Sequence, residues 1–183
     1  MKKIIFIFLL FVSNALILSA SDNYSGKSIV RARRTKYSIS KTVGKNITFV
    51  DITNVKNVLN EEYPIDLATG ESYTFANNPM PLIDISCEEL DDVIHSVFNH
   101  SDFNKYFKDS CRILATFRID PSTKSILEIK FCLYYEGSDT SILSLPIRKI
   151  EKLEKELKSA DLFPRIPAGG ENASFLIWSA RIL

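Results

Sequence analysis

The sequence predicts an α+β fold, an antiparallel sheet with one or two helices packed on one face, on three observations. Residues 112–120 and 125–135 alternate apolar and polar side chains around a short polar turn, and two such runs so closely joined form an antiparallel hairpin. Residues 86–98 and 146–160 carry apolar side chains at helical spacing instead. Residues 175–183 return to alternation, which gives the C-terminal half the order β-β-α-β.

The chain opens with Lys2 and Lys3, an uncharged apolar run over residues 4–18, and the small residues Ser19, Ala20 and Ser21, the order of a secretory signal peptide. The run is shorter than the ~20 apolar residues that span a bilayer, and Ser13 and Asn14 interrupt it. Residues 1–20 are expected to be removed after Ala20; a retained anchor is the alternative, because Leu18 is bulky for the third position before the cut. No cysteine near the exit offers a lipidation site. An exported protein, periplasmic or secreted, follows from this reading. The remainder suits one domain with a continuous core. Within it, residues 21–81 read as an N-terminal extension of short strands and loops, and residues 82–183 as the regular α+β core.

The chain carries 23 Lys and Arg against 22 Asp and Glu; without Lys2 and Lys3 the basic count is 21 and the formal charge −1. Such a balance gives no general pull toward nucleic acid or anionic membranes, so membrane association is expected only with the leader retained. Locally the charge is uneven. Residues 25–50 contain no acidic side chain but seven basic ones, among which Arg31, Arg33, Arg34 and Lys36 form a candidate patch for an anionic ligand: an acidic surface, a sulfated glycan or lipid headgroups. The plainer reading is a solvated strand, since Tyr37, Ile39 and Val43 alternate with Ser38, Ser40 and Thr42 as an exposed edge would.

Residues 47–50 read as another short strand, and Val55, Val58 and Leu59 as one helical turn before Glu61 and Glu62. Residues 63–81 are turn-rich, with Pro64, Gly70, Pro79 and Pro81, and predict an ordered loop or small hairpin. A helix then starts at Ser86, which with Glu89 has capping-box spacing, and Leu90, Val93, Ile94, Val97 and Phe98 form its apolar stripe. The nearby acids Asp84, Glu88, Glu89, Asp91 and Asp92 suit the positive end of that helix rather than a metal, for no calcium-loop pattern is present. No metal or cofactor is expected.

Cys87, Cys111 and Cys132 are an odd number of thiols for an exported chain. Cys111 shares a strand face with Ile113, Ala115, Phe117 and Ile119, and Cys87 a helix face with Leu90 and Ile94; if those faces pack, Cys87 and Cys111 form a disulfide. Cys132 lies on the opposite face with Glu128 and Lys130 and would remain free. The alternative is three free thiols acting as small apolar side chains. A thiol enzyme needs a histidine within hydrogen-bond reach of a cysteine. His95 stands more than two helical turns from Cys87, and His100 would meet Cys111 or Cys132 only through the fold.

In the second helix Ser144 is placed to cap, Pro146 to open the first turn, and Ile147, Ile150, Leu153 and Leu157 to be buried. Glu151 with Lys155, and Glu154 with Lys158, are expected to face solvent as i,i+4 pairs. Phe163-Pro164 stops the helix and Ala168-Gly169-Gly170 turns the chain into the closing strand, with Leu176, Trp178, Ala180 and Ile182 on one face. The sequons at Asn23, Asn46, Asn99 and Asn172 bear on a eukaryotic source only.

The run Ala115-Thr116-Phe117-Arg118-Ile119-Asp120, the following Ile126 and Ile129, the helix, Phe163-Pro164 and the glycine turn together resemble the C-terminal domain of TonB-like proteins of the Gram-negative envelope. The resemblance covers about residues 110–183. It departs from the family where a hairpin glycine gives way to Lys124-Ser125, in lacking Tyr-Pro before the first strand, and in lacking a Pro-rich spacer. What it implies is the fold and an envelope location, with binding of another envelope protein through an exposed sheet edge. With no catalytic motif, the expected function is a noncatalytic interaction module. Ligand binding through the basic arm and exposed aromatics such as Tyr134 or Trp178, and a thiol-dependent enzyme, are the alternatives.

Overall fold

The computed structural model describes residues 23–24, 26–59, 62–73, 84–108, 111–166 and 170–183. The expected signal peptide at residues 1–20 and the turns at 79–81 and 168–169 lie outside them. The fold is α+β. Among the described residues six antiparallel strands, β1 (Ile29–Arg31), β2 (Lys36–Val43), β3 (Ile47–Asn54), β4 (Cys111–Ile119), β5 (Ile126–Glu136) and β6 (Leu176–Arg181), lie in the order β1-β2-β3-β5-β4-β6. Three α-helices of these residues, α1 (Cys87–Val97), α2 (His100–Tyr106) and α3 (Ile147–Ser159), and a 3-10 turn (Ser141–Ser144) accompany the sheet. The C-terminal β-β-α-β order is as the alternation predicted.

Alternation decides the two faces. Cys111, Ile113, Ala115, Phe117 and Ile119 of β4 are all fully buried, as are Phe131 and Leu133 of β5 and Val50 and Ile52 of β3. Ile150, Leu153 and Leu157 of α3 pack into the same core, each burial contributing about 1.5–3 kcal/mol over exposure. Helix α1 lies antiparallel to α3: the Ser86 N–H donates to the Leu162 carbonyl beyond the end of α3, and Lys149 Nζ donates to the Val97 carbonyl at the end of α1. Phe117, Phe163 and Trp178 meet with ring centroids 5.6 Å apart, which fastens the segment after α3 to β4 and β6.

Several local expectations change. The strand at residues 47–50 runs on to Asn54, because β2 and β5 offer partners to every residue of it. Val55 and Val58 then sit exposed on a turn and not on a buried helical one. Strand β2 is interior, and the short β1 takes the edge. The turn-rich segment holds a small hairpin, with Ile65 bridged to Ser72. Helix α2 was not foreseen; Asn99 and Asp102 form a full capping box at its start. Ser144 does not cap α3, since its hydroxyl donates back to the Ser141 carbonyl. In the β4–β5 turn Lys124 has φ 60°, the left-handed conformation for which glycine is favoured.

Candidate functional site

All three cysteines are free. Cys87 is exposed in the first turn of α1, whereas Cys111 is buried and in contact with Ser141, whose hydroxyl faces the Tyr106 carbonyl at the end of α2. Both thiols are free, and the expected Cys87–Cys111 bridge does not form. Cys111 faces the core as its strand face predicts, whereas Cys87 stands exposed and off the buried stripe of Val93, Ile94 and Val97.

The thiols are also poor nucleophiles where they are buried. The Cys111 sulfur meets the Asp139 carbonyl at 3.6 Å and the Ser141 hydroxyl at 3.5 Å. Burial, followed by the charge of Asp51 and its hydrogen bond, pushes the Cys132 thiol up to about 12. His95 packs its ring 5.9 Å from Phe103, and His100 is exposed as the first residue of α2. Among the described residues no histidine touches a cysteine, and no group of three or more His, Cys, Asp or Glu side chains is arranged around a metal position.

The basic arm folds into the β1–β2 hairpin. Arg31 pairs directly with Lys36, and Arg33 and Arg34 occupy the turn between them, closed by the Ala32 N–H on the Thr35 carbonyl. All four side chains are exposed. What holds the turn is an acid from far along the chain: the Arg33 and Arg34 backbone N–H groups donate to the two oxygens of Glu151 on α3, at 3.1 and 2.9 Å. Burial opposes ionisation of Glu151, but the Arg34 N–H, the Thr35 hydroxyl and the Arg33 N–H outweigh it and hold its carboxyl below the ordinary range.

One turn on, Glu154 is only 6% exposed. It accepts from the Tyr37 hydroxyl at 2.7 Å and the Asn54 amide at 3.2 Å, and pairs with Lys158 at 3.1 Å. The expected i,i+4 pair with Lys158 is present but turned inward. Glu151 does not pair with Lys155, whose ion contact is Glu156 at 3.9 Å. The two glutamates bind the N-terminal strands to α3 and leave the outer side of that helix to its cations.

The sheet face away from the helices carries Phe49, Asp51, Leu114, Thr116, Lys130, Cys132 and Tyr134, all half-buried. Asp51 and Lys130 pair across it at 2.9 Å. At one end Arg118 faces Glu128 in register, both buried, and the Glu128 carboxylate accepts the Val58 and Leu59 N–H groups. The aromatics offered for ligand stacking are engaged: Tyr134 rests on Phe49, and Trp178 on Phe117 and Phe163.

Strand β6 forms one edge of the sheet. Ile182 donates its N–H to Ile113, and N–H directions alternate along a strand. The N–H groups of Ile177, Ser179 and Arg181 therefore point outward, and no described strand pairs with them. Their side chains are exposed. No helix of the described residues is long and apolar enough to cross a membrane.

No protein-family model matches the chain, and none of the curated proteins does. Among solved structures it is similar to the crystal structure of a DUF5043 family protein from Bacteroides uniformis ATCC 8492, with a TM-score of 0.66 and 17% identity over 87% of this chain and 86% of that one. At that identity the likeness shows the fold alone. Its extent is greater than residues 110–183 alone.

Proposed function

We propose that this protein is a noncatalytic, exported envelope protein that binds another envelope protein by adding one of the partner's strands to β6. The leader-like segment and the TonB-like pattern of residues 110–183 support the location. The edge of β6 that no described strand covers carries the binding reading: the outward N–H groups of Ile177, Ser179 and Arg181 are donors that a partner strand satisfies without any rearrangement of the sheet.

Proline at position 179 tests it. It removes an outward N–H while the ladder to β4, carried by the alternate residues, stays intact. Ser179→Ala is the control, because both variants lose the 2.9 Å contact of Ser179 with Thr116. Affinity capture from an envelope extract is expected to recover a partner with wild type and Ser179→Ala and to lose it with Ser179→Pro. Equal recovery with all three, or no partner at all, sinks the proposal.

A further inference from the structure

From the end of the sheet opposite β6 we infer that the β1–β2 turn and the adjoining sheet face away from the helices form a docking surface for an anionic lipid bilayer. Like charges directly across a ladder repel, and Arg31 faces Lys36 in register. Arg33 and Arg34 crowd the same turn. Residues 25–50 supply no acid to offset them. The acid that does reach the turn, Glu151, is consumed by its backbone N–H groups, not by the arginine side chains.

A bilayer, rather than a sulfated glycan, is favoured by the apolar side chains set among these cations. Ile29 is on the same strand face as Arg31 and is 58% exposed. Val55 donates its N–H to the Lys36 carbonyl, so it continues the Arg31–Lys36 row, and it is 47% exposed. Cations at headgroup level with aliphatic side chains at the acyl boundary are how peripheral proteins hold a membrane, whereas a glycan offers no apolar phase to receive them. The overall charge balance of the chain does not oppose this, because screening limits each group to its neighbourhood.

The full chain is sedimented with vesicles of phosphatidylcholine alone or mixed with phosphatidylglycerol, so that the N-terminal apolar segment is common to every arm. Wild type is expected to prefer the mixed vesicles and to be released by salt. Arg33→Gln with Arg34→Gln keeps the backbone bonds to Glu151, and partitioning falls about fivefold for each charge removed. Lys41→Gln with Lys45→Gln, the same charge change at the far end of the hairpin, leaves it unaltered. Val55→Ser weakens vesicle binding. The inference is overturned by an equal loss in both double variants, by equal binding to uncharged vesicles, or by tighter binding to sulfated dextran than to vesicles with Val55→Ser without effect.

Discussion

Replacing Glu154 with alanine cuts the seam between the N-terminal strands and α3, and the structure fixes the size of the effect. The Tyr37 hydroxyl is buried and donates to the carboxylate at 2.7 Å. A hydrogen bond to a charged group contributes about 1.5–3 kcal/mol, and a buried donor left without an acceptor costs about 1–3 kcal/mol. The Asn54 amide, part-buried at 3.2 Å, can recover a water, and the pair with Lys158 involves an ammonium one-third exposed, so that pair adds no more than about 0.5 kcal/mol. Glu154→Ala is therefore expected to cost about 3 kcal/mol. Tyr37→Phe is expected to cost about 1.5 kcal/mol, because Glu154 keeps Asn54 and Lys158. The double variant costs less than the sum, with a coupling of about 1–2 kcal/mol. Urea unfolding followed by Trp178 fluorescence and by far-ultraviolet circular dichroism measures each corner of the cycle. Coincident transitions are required for the comparison to hold. Additive single costs, or a loss below about 1 kcal/mol in Glu154→Ala, refute the assignment of Glu154 as the shared acceptor.

Three further outcomes follow from the buried and hydrogen-bonded groups. Asp102 is held below the ordinary carboxylate range despite burial, by the Lys149 hydrogen bond at 2.7 Å and the Asn99 N–H; Asp120 by the Ser122 hydroxyl, Asp139 by the Ser141 N–H, and Glu151 by the turn. Lowered folded-state values mean stability that is complete above the unfolded pKa of about 4 and lost as pH falls through the folded values. Thermal midpoints are expected to drop steadily in acid, and a midpoint unchanged between about pH 6 and about pH 3 contradicts this. Burial and then Glu154 raise Tyr37, so its contribution is complete below about pH 10 and is lost above it. For the thiols, a small aromatic disulfide reagent at neutral pH is expected to modify Cys87 rapidly and Cys111 and Cys132 only after unfolding. Rapid modification of a second cysteine in the native protein would contradict the burial described.

The elements that sequence made legible are those whose neighbours lie close in the chain. Each odd residue of β4 from Cys111 to Ile119 faces the core, and the polar turn after it forces the hairpin. Glu151 and Glu154 were misread because their spacing from Lys155 and Lys158 fits a solvated helix as well as it fits this one. Only the arrival of residues 33–37, more than a hundred positions earlier, turns the two acids inward. The missed helix α2 did carry a signal, Asn99 three residues before Asp102. Its seven residues are too few for a convincing apolar period. At the proposed edge, the alternation of Ile177, Ser179 and Arg181 was visible, but not that β6 ends the sheet, which depends on the strand order.

That strand order also sets a sequence of events during biosynthesis. Strand β3 pairs with β5 in a register that joins Ile47 to Glu136, so Val50 and Ile52 have no wall to pack against until Leu133 and Phe131 have been made. The hairpin β4–β5 closes over a short turn and receives α3 and β6 from the same half of the chain. The half of the sheet that is made first is thus the half that finds its place last, its three strands paired with one another but with the outer edge of β3 open until β5 arrives.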